Sequence, residues 1–197
     1  DVANTGGGVV EGSVAGLFGN RKPPSAAYAF AAPVFHHVME DGAPLFIGGA
    51  FHDGRATGNV TGNVLADQAM GPFLNPVEMA SPHAACVVAK VCAQGRDAGY
   101  EVGLRDLDAG ACAMRLPDTL TEDCANPAAK ITLDEEAANA VEASFHLIGR
   151  ALAAYEASAE VNPFSSRFDK WQAGQGDLTE QERAGFALFQ DKALCAE

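Results

Sequence analysis

The first 64 residues constrain the fold more than any other part of the chain. They show little helical periodicity and are broken by Gly6-Gly7-Gly8, Pro23-Pro24, Gly48-Gly49 and the near-repeat Thr57-Gly58-Asn59-Val60-Thr61-Gly62-Asn63-Val64. Tyr28, Phe30, Phe35, Phe46 and Phe51 are interleaved with these breaks and can pin the segment down, so it reads as ordered loop. No stretch alternates convincingly enough to predict a strand. An irregular segment of this length is uncommon in a compact domain unless it serves a function or wraps a ligand, which favours a protein built around a cofactor.

From about residue 65 the pattern turns helical. Ser81-Pro82 predicts a helix start, with Pro in the first turn, running to about Ala93. Residues 95–131 read as loop. Thr132-x-x-Glu135 has the form of a capping box and predicts a long helix to about residue 157. In it Val141, Phe145, Ile148, Leu152 and Tyr155 step by four, three, four and three, which predicts one buried stripe. Asn162-Pro163 ends that helix and marks the predicted domain boundary, giving units 1–161 and 162–197. A second box, Thr179-x-x-Glu182, opens a helix carrying Phe186 and Phe189 toward the C-terminus. The fold class is mainly α.

With Lys+Arg 13 against Asp+Glu 26, the formal charge of −13 argues against nucleic acid or anionic lipid as a partner and permits a small basic electron carrier. No apolar run approaches the roughly 20 residues that span a membrane. The chain opens at Asp1 with no Met and no visible signal peptide, so removal of an upstream segment is expected. Cys86, Cys92, Cys112, Cys124 and Cys195 suit an oxidising, exported location. They form no Cys-x-x-Cys pair, which speaks against zinc. The first four allow two disulfides in three pairings; a bridge from Cys92 to Cys112 or to Cys124 would fasten the 95–131 segment to the helix before it. His36, His37, His52, His83 and His146 are read as structural or surface histidines, and Trp171 as a packing residue.

Three blocks follow in fixed order: Phe51-His52-Asp53-Gly54-Arg55-Ala56, then Gln68-Ala69-Met70-Gly71-Pro72-Phe73-Leu74-Asn75-Pro76-Val77-Glu78-Met79, then Phe164 to Asp169 leading into Leu178-Thr179-x-x-Glu182-x-x-Gly185-x-x-Leu188-Phe189 and Cys195. Together they resemble the bacterial di-heme cytochrome c peroxidase family, which includes the MauG-like enzymes, over about Gly16 to Glu197. The resemblance implies cytochrome c-like helical heme domains with long ordered loops. Residues 1–161 would be the body of the first, peroxidatic heme domain, and 162–197 the start of the second, electron-transfer one. It implies heme c, two in the intact protein. Cys195 would be the first thiol of the second attachment motif, with Cys-His following Glu197 and another Cys-x-x-Cys-His preceding Asp1. A plain C-terminal thiol is the alternative.

The resemblance assigns roles residue by residue. Splitting the O–O bond of a peroxide needs a group that takes a proton from one oxygen and returns it to the other, and a carboxylate can do both. Glu78 holds that position; otherwise it is an ordinary charge near a helix start. Gln68 matches a pocket amide that orients the carboxylate or the peroxide, and Pro72 a pocket wall, against the alternatives of a polar loop residue and a turn Pro. Arg55 suits heme propionates, or a salt bridge within its own loop. His52 stands where the family usually has a Trp near the path between the hemes, which puts that electron route in doubt. The stretch Gly16 to Arg21 holds no His to cap the peroxidatic iron, so the first iron is expected to be open. Lys22 stands near the position of a calcium-binding Asn, so calcium between the hemes is left without an assigned ligand.

Three functions follow. The first is reduction of hydrogen peroxide to water with electrons from a small periplasmic donor of cytochrome c or cupredoxin type. The second is a MauG-like oxidase that modifies a protein or small substrate. The third, from another class, is a disulfide-linked binding or scaffold domain that has lost its hemes. A homodimer is compatible with each.

Overall fold

The computed structural model describes residues 8–94, 110–193 and 195. The chain divides into two compact units, 1–161 and 162–197. Unit one contains a two-stranded hairpin, β1 (His36–Glu40) and β2 (Ala43–Ile47), followed by helices α1 (Val64–Leu74), α2 (Ala84–Gln94), α3 (Leu120–Cys124) and α4 (Glu135–Glu156). Unit two contains α5 (Arg167–Gln172) and α6 (Glu180–Gln190). The described fold is mainly α.

The expectation is few or no strands, and the hairpin is the one sheet among the described residues, in a stretch where no strand is predicted. Its antiparallel register pairs His36 with Ile47 and Glu40 with Ala43 across a two-residue Asp41-Gly42 turn. Both turn residues have positive φ, 50° and 82°, the backbone that matches the twist of paired strands. The ribbon is exposed along nearly its whole length. Neither face is selected for burial, so no apolar–polar alternation was written into it.

The near-repeat at 57–64 is two successive hydroxyl turns. Thr57 Oγ1 accepts from Asn59 N at 3.2 Å, and Thr61 Oγ1 accepts from Asn63 N at 3.3 Å. Asn63 then caps α1, its Oδ1 accepting from Ala66 N at 3.0 Å. Asp67 in the first turn accepts from Thr61 Oγ1 at 2.7 Å and Thr61 N at 3.0 Å, so the loop and the helix start are one hydrogen-bonded unit.

Helix α4 packs along both α1 and α2. Val141, Phe145 and Ile148 form the core with Met70, Ala85, Val87, Val88, Ala111 and Leu120, and Phe73 meets Phe145 edge-on at 5.9 Å. At Gly149 a Cβ would lie 3.0 Å from the Ala66 carbonyl, so glycine sets how closely α1 and α4 approach. The predicted stripe is buried only through its first three residues; Tyr155 is 54% exposed. The helix cap also differs. Asp134, not Thr132, accepts from Ala137 N at 2.8 Å, because a carboxylate one residue before the helix reaches its free N–H groups. Likewise α2 begins at Ala84 and Pro82 lies outside it; His83 Nδ1 accepts from Ala85 N at 3.1 Å in that first turn.

Two nested disulfides, Cys86–Cys124 and Cys92–Cys112, join α2 to the 110–124 segment. Cys86 and Cys92 are six residues apart on one helix and therefore point about 120° from each other, and each bonds a different cysteine of that segment. Ser144 Oγ lies 2.8 Å from the Ala111 carbonyl, which ties the same segment to α4. The predicted 95–131 loop contains α3, and its residues 95–109 lie outside the described residues.

In unit two the Thr179–Glu182 box forms in both directions. A further box, Ser166–Asp169, opens α5. Trp171, Phe168 and Phe186 form a three-ring cluster with centroids 5.2–5.6 Å apart, so Trp171 packs as expected.

Candidate functional site

Helix α1 ends with an internal proline. Pro72 has no N–H, so the Gln68 carbonyl loses its usual partner four residues on, and the helix stops two residues later. The chain then folds back over that end: Met79 N donates to the Pro72 carbonyl at 3.1 Å and Ser81 N to the Phe73 carbonyl at 2.9 Å. Asn75 shapes the intervening turn, with its Oδ1 accepting from Val77 N at 3.1 Å. This reversal places Glu78 beside the C-terminal turn of the helix that carries Gln68 and Pro72.

All three line one cavity of about 920 Å³, together with His52 and Arg55 from the loop after the hairpin. Five residues expected from sequence to share a pocket are therefore brought together. Glu78, Gln68 and Pro72 are half-buried, whereas His52 and Arg55 are exposed. The hydrogen bond to the Glu78 carboxylate comes from Asn75, whose Nδ2 donates to Oε1 at 2.9 Å. Gln68 makes no hydrogen bond to it among the described residues. Sequence reasoning passed over Asn75, although an Asn-Pro turn three residues before the key carboxylate was a usable signal.

The mouth of the cavity carries a charged cluster. Asp53 Oδ2 lies 2.7 Å from Arg21 Nη1, and its Oδ1 lies 2.8 Å from Arg55 Nη1. Hydrogen bonds from Arg21 and Arg55 hold the Asp53 carboxyl far below the usual carboxylate range. Arg55 also lies over the Phe51 ring, 3.7 Å from its centroid. The salt bridge within the loop thus exists, and Nη2 of Arg55 carries no hydrogen bond among the described residues. Of the remaining histidines, His36 bonds the Val34 carbonyl, His37 tilts against Phe46, His83 accepts in α2, and His146 lies 3.9 Å from Glu142.

A second carboxylate, Glu156 at the end of α4, also lines the cavity, and burial pushes its carboxyl above the ordinary value. The folded state therefore holds its proton more tightly than the unfolded state. Its contribution to stability is full below the ordinary carboxylate range and is lost as pH rises through the raised folded value. Glu156→Gln is expected to raise the melting temperature at neutral pH, with the gain closing near pH 4. Thermal denaturation of both proteins across that range measures it, and a gain that persists unchanged at low pH would contradict it.

The residues present fit one side of a heme. A 920 Å³ space with Ala29, Ala32, Phe51, Leu65 and Pro72 among its lining residues suits a flat apolar group, and cationic Arg21, Lys22 and Arg55 suit its carboxylates. The attachment side is another matter. The 197 residues contain no complete Cys-x-x-Cys-His, and no group of three metal-ligating side chains occurs among the described residues. Cys195, in unit two, is free and exposed. Among the described residues no helix is long and apolar enough to cross a membrane.

The family model for di-haem cytochrome c peroxidase matches residues 2–177. Methylamine utilization protein MauG of Paracoccus denitrificans (strain Pd 1222) is 33% identical over 171 residues, covering 87% of this chain and 35% of that protein. The crystal structure of a variant of the diheme peroxidase BthA from Burkholderia thailandensis E264 superposes with a TM-score of 0.61 at 31% identity, over 93% of this chain and 36% of that one. The chain thus spans about a third of the length of these relatives. The chain belongs to the di-heme cytochrome c peroxidase family.

Proposed function

We propose that the cavity bounded by Glu78, Gln68 and Pro72 is the peroxide pocket of a di-heme c-type peroxidase. The observation that carries this reading is the convergence of those three side chains on one cavity, with the Glu78 carboxylate held by Asn75. A heme c bound there would supply the iron for the peroxide chemistry and the path for electrons. The side chains of this chain handle the protons and the geometry. Hydrogen peroxide accepts two electrons and two protons and leaves as two waters. Glu78 takes the proton from one oxygen and delivers it to the other, which then departs as water. Gln68 offers an amide to hold the peroxide, and Pro72 closes the wall without adding a donor. The two electrons come from a small cytochrome c or cupredoxin-type donor, for which the charge of −13 provides steering. The two disulfides suit the periplasm.

The identity with MauG and the absence of His from Gly16 to Arg21 favour a second reading, an oxidase that spends the same oxidising power on a protein or small substrate. The intact protein, carrying both hemes, separates the two. The first reading expects peroxide to be consumed with two equivalents of a reduced one-electron donor. Peroxide consumption with no donor oxidation would sink it in favour of the second. An intact protein without c-type heme absorption bands would sink both and leave the scaffold reading.

A further inference from the structure

Glu78 is held from its backbone as well as from its side chain. Residues 10–19 form a small reversal in which Gly19 N donates to the Val10 carbonyl at 3.0 Å and Gly12 N to the Leu17 carbonyl at 2.8 Å. The outer edge of this reversal lies directly against the turn that carries Glu78. Ser13 N donates to the Glu78 carbonyl at 2.6 Å. At Gly12 a Cβ would stand 2.4 Å from the Val77 carbonyl oxygen and 2.5 Å from that of Glu78. Its φ lies outside the left-handed range, so glycine is demanded here by the approach and not by the backbone conformation. Gly16 on the same reversal is the opposite case, with φ +80° and nothing within 4 Å.

We propose that Gly12 and Asn75 are positioning residues for Glu78, fixing respectively where its backbone sits and where its carboxylate points. The proposal rests on Glu78 being the proton carrier. Gly12 lets two backbones meet, so any side chain there must push the 77–78 peptide away. Asn75 spends its carbonyl on shaping the turn and its amide on Oε1, which leaves Oε2 for the substrate.

The test uses Gly12→Ala, Asn75→Asp, Gly16→Asn and Glu78→Gln in the intact protein carrying both hemes. Asn75→Asp keeps the turn-forming acceptor, removes the donor and sets a second carboxylate beside Glu78. The acid limb of the pH–rate profile for peroxide should therefore move up by about 1 unit or more. Gly12→Ala should lower kcat/KM by up to roughly 10²-fold, the cost of a displacement of order 1 Å. Its crystal structure should show the Asn75–Glu78 hydrogen bond broken. Gly16→Asn, in open space and with a residue that tolerates left-handed backbone, should stay near wild type. If Gly12→Ala fails to fold, the pH profile of Asn75→Asp decides alone. An unmoved acid limb in Asn75→Asp overturns the proposal, as does a Gly12→Ala structure with the Glu78 carboxylate in place. A wild-type rate in Glu78→Gln would instead remove the acid–base reading beneath it.

Discussion

Replacing Glu78 with Gln in the intact protein should slow its reaction with peroxide by about 10²–10⁴-fold, the usual contribution of general acid–base catalysis, while both hemes remain attached. Gln has nearly the same size and still offers an oxygen to Asn75 Nδ2, so the 2.9 Å contact can persist and only the titrating group is lost. The turn itself should also survive, because the bonds that define it run through backbone: Glu78 N and Ala80 N both donate to the Asn75 carbonyl. Stopped-flow recording of the heme absorbance change on mixing with peroxide reads the step directly. A wild-type rate would reduce Glu78 to a structural charge. Gln68→Ala should cost less than Glu78→Gln. Gln68 does not hold the carboxylate, so its removal costs a pocket contact and leaves the proton carrier in place.

Removing both disulfides should produce the largest loss of stability. In the chain-entropy model a bridge closing a loop of this size contributes about 3 kcal/mol. Cys92–Cys112 closes a separation of 20 residues inside the 38 of Cys86–Cys124, so with the inner bridge closed the outer loop is cut to about half. The logarithmic dependence keeps its contribution near the same value, and the pair together is worth about 6 kcal/mol. For a chain of this size that is a fall in melting temperature on the order of 10–20 °C. Cys86 is also buried in the core, so Ala is the better replacement there; Cys92 is half-buried at the segment's edge. Thermal denaturation of the quadruple variant against the oxidised protein measures the loss. A fall of under about 1 kcal/mol would mean that core packing, and not the bridges, fastens the 110–124 segment to α2.

The pocket was legible because its chemistry is concentrated in one short stretch. Gln68, Pro72 and Glu78 fall within eleven residues, and a helix stopped by its own proline can only return over its end. The second half of the long-helix stripe was misread for a different reason. Periodicity reports which residues share a face; it does not report which face a neighbour meets, and toward its end α4 turns Gly149 and Ala153, not Leu152 and Tyr155, onto Leu65 and Ala66 of α1. The Thr132 cap failed on a rivalry between neighbours, since Asp134 stands closer to the free N–H groups. The hairpin carried its best signal in Asp41-Gly42, and the lack of alternation around it hid that signal.

By itself, the sequence determined the mainly helical class, the acidic surface, the family and the order of the pocket residues along the chain. The class and the charge follow from local composition and spacing, and the family from the resemblance of the three motif blocks, all of which a linear string records in full. Which cysteines pair, which amide holds Glu78, why residue 12 must be glycine and how Arg55 divides itself between Asp53 and Phe51 were decided by tertiary structure alone. Half of these join residues far apart in the chain, and for those that are close it is the fold that aims the side chain. Spacing fixes only how far two residues can reach. The geometry that selects one partner among several within reach arises when the helices pack and the loops close around them.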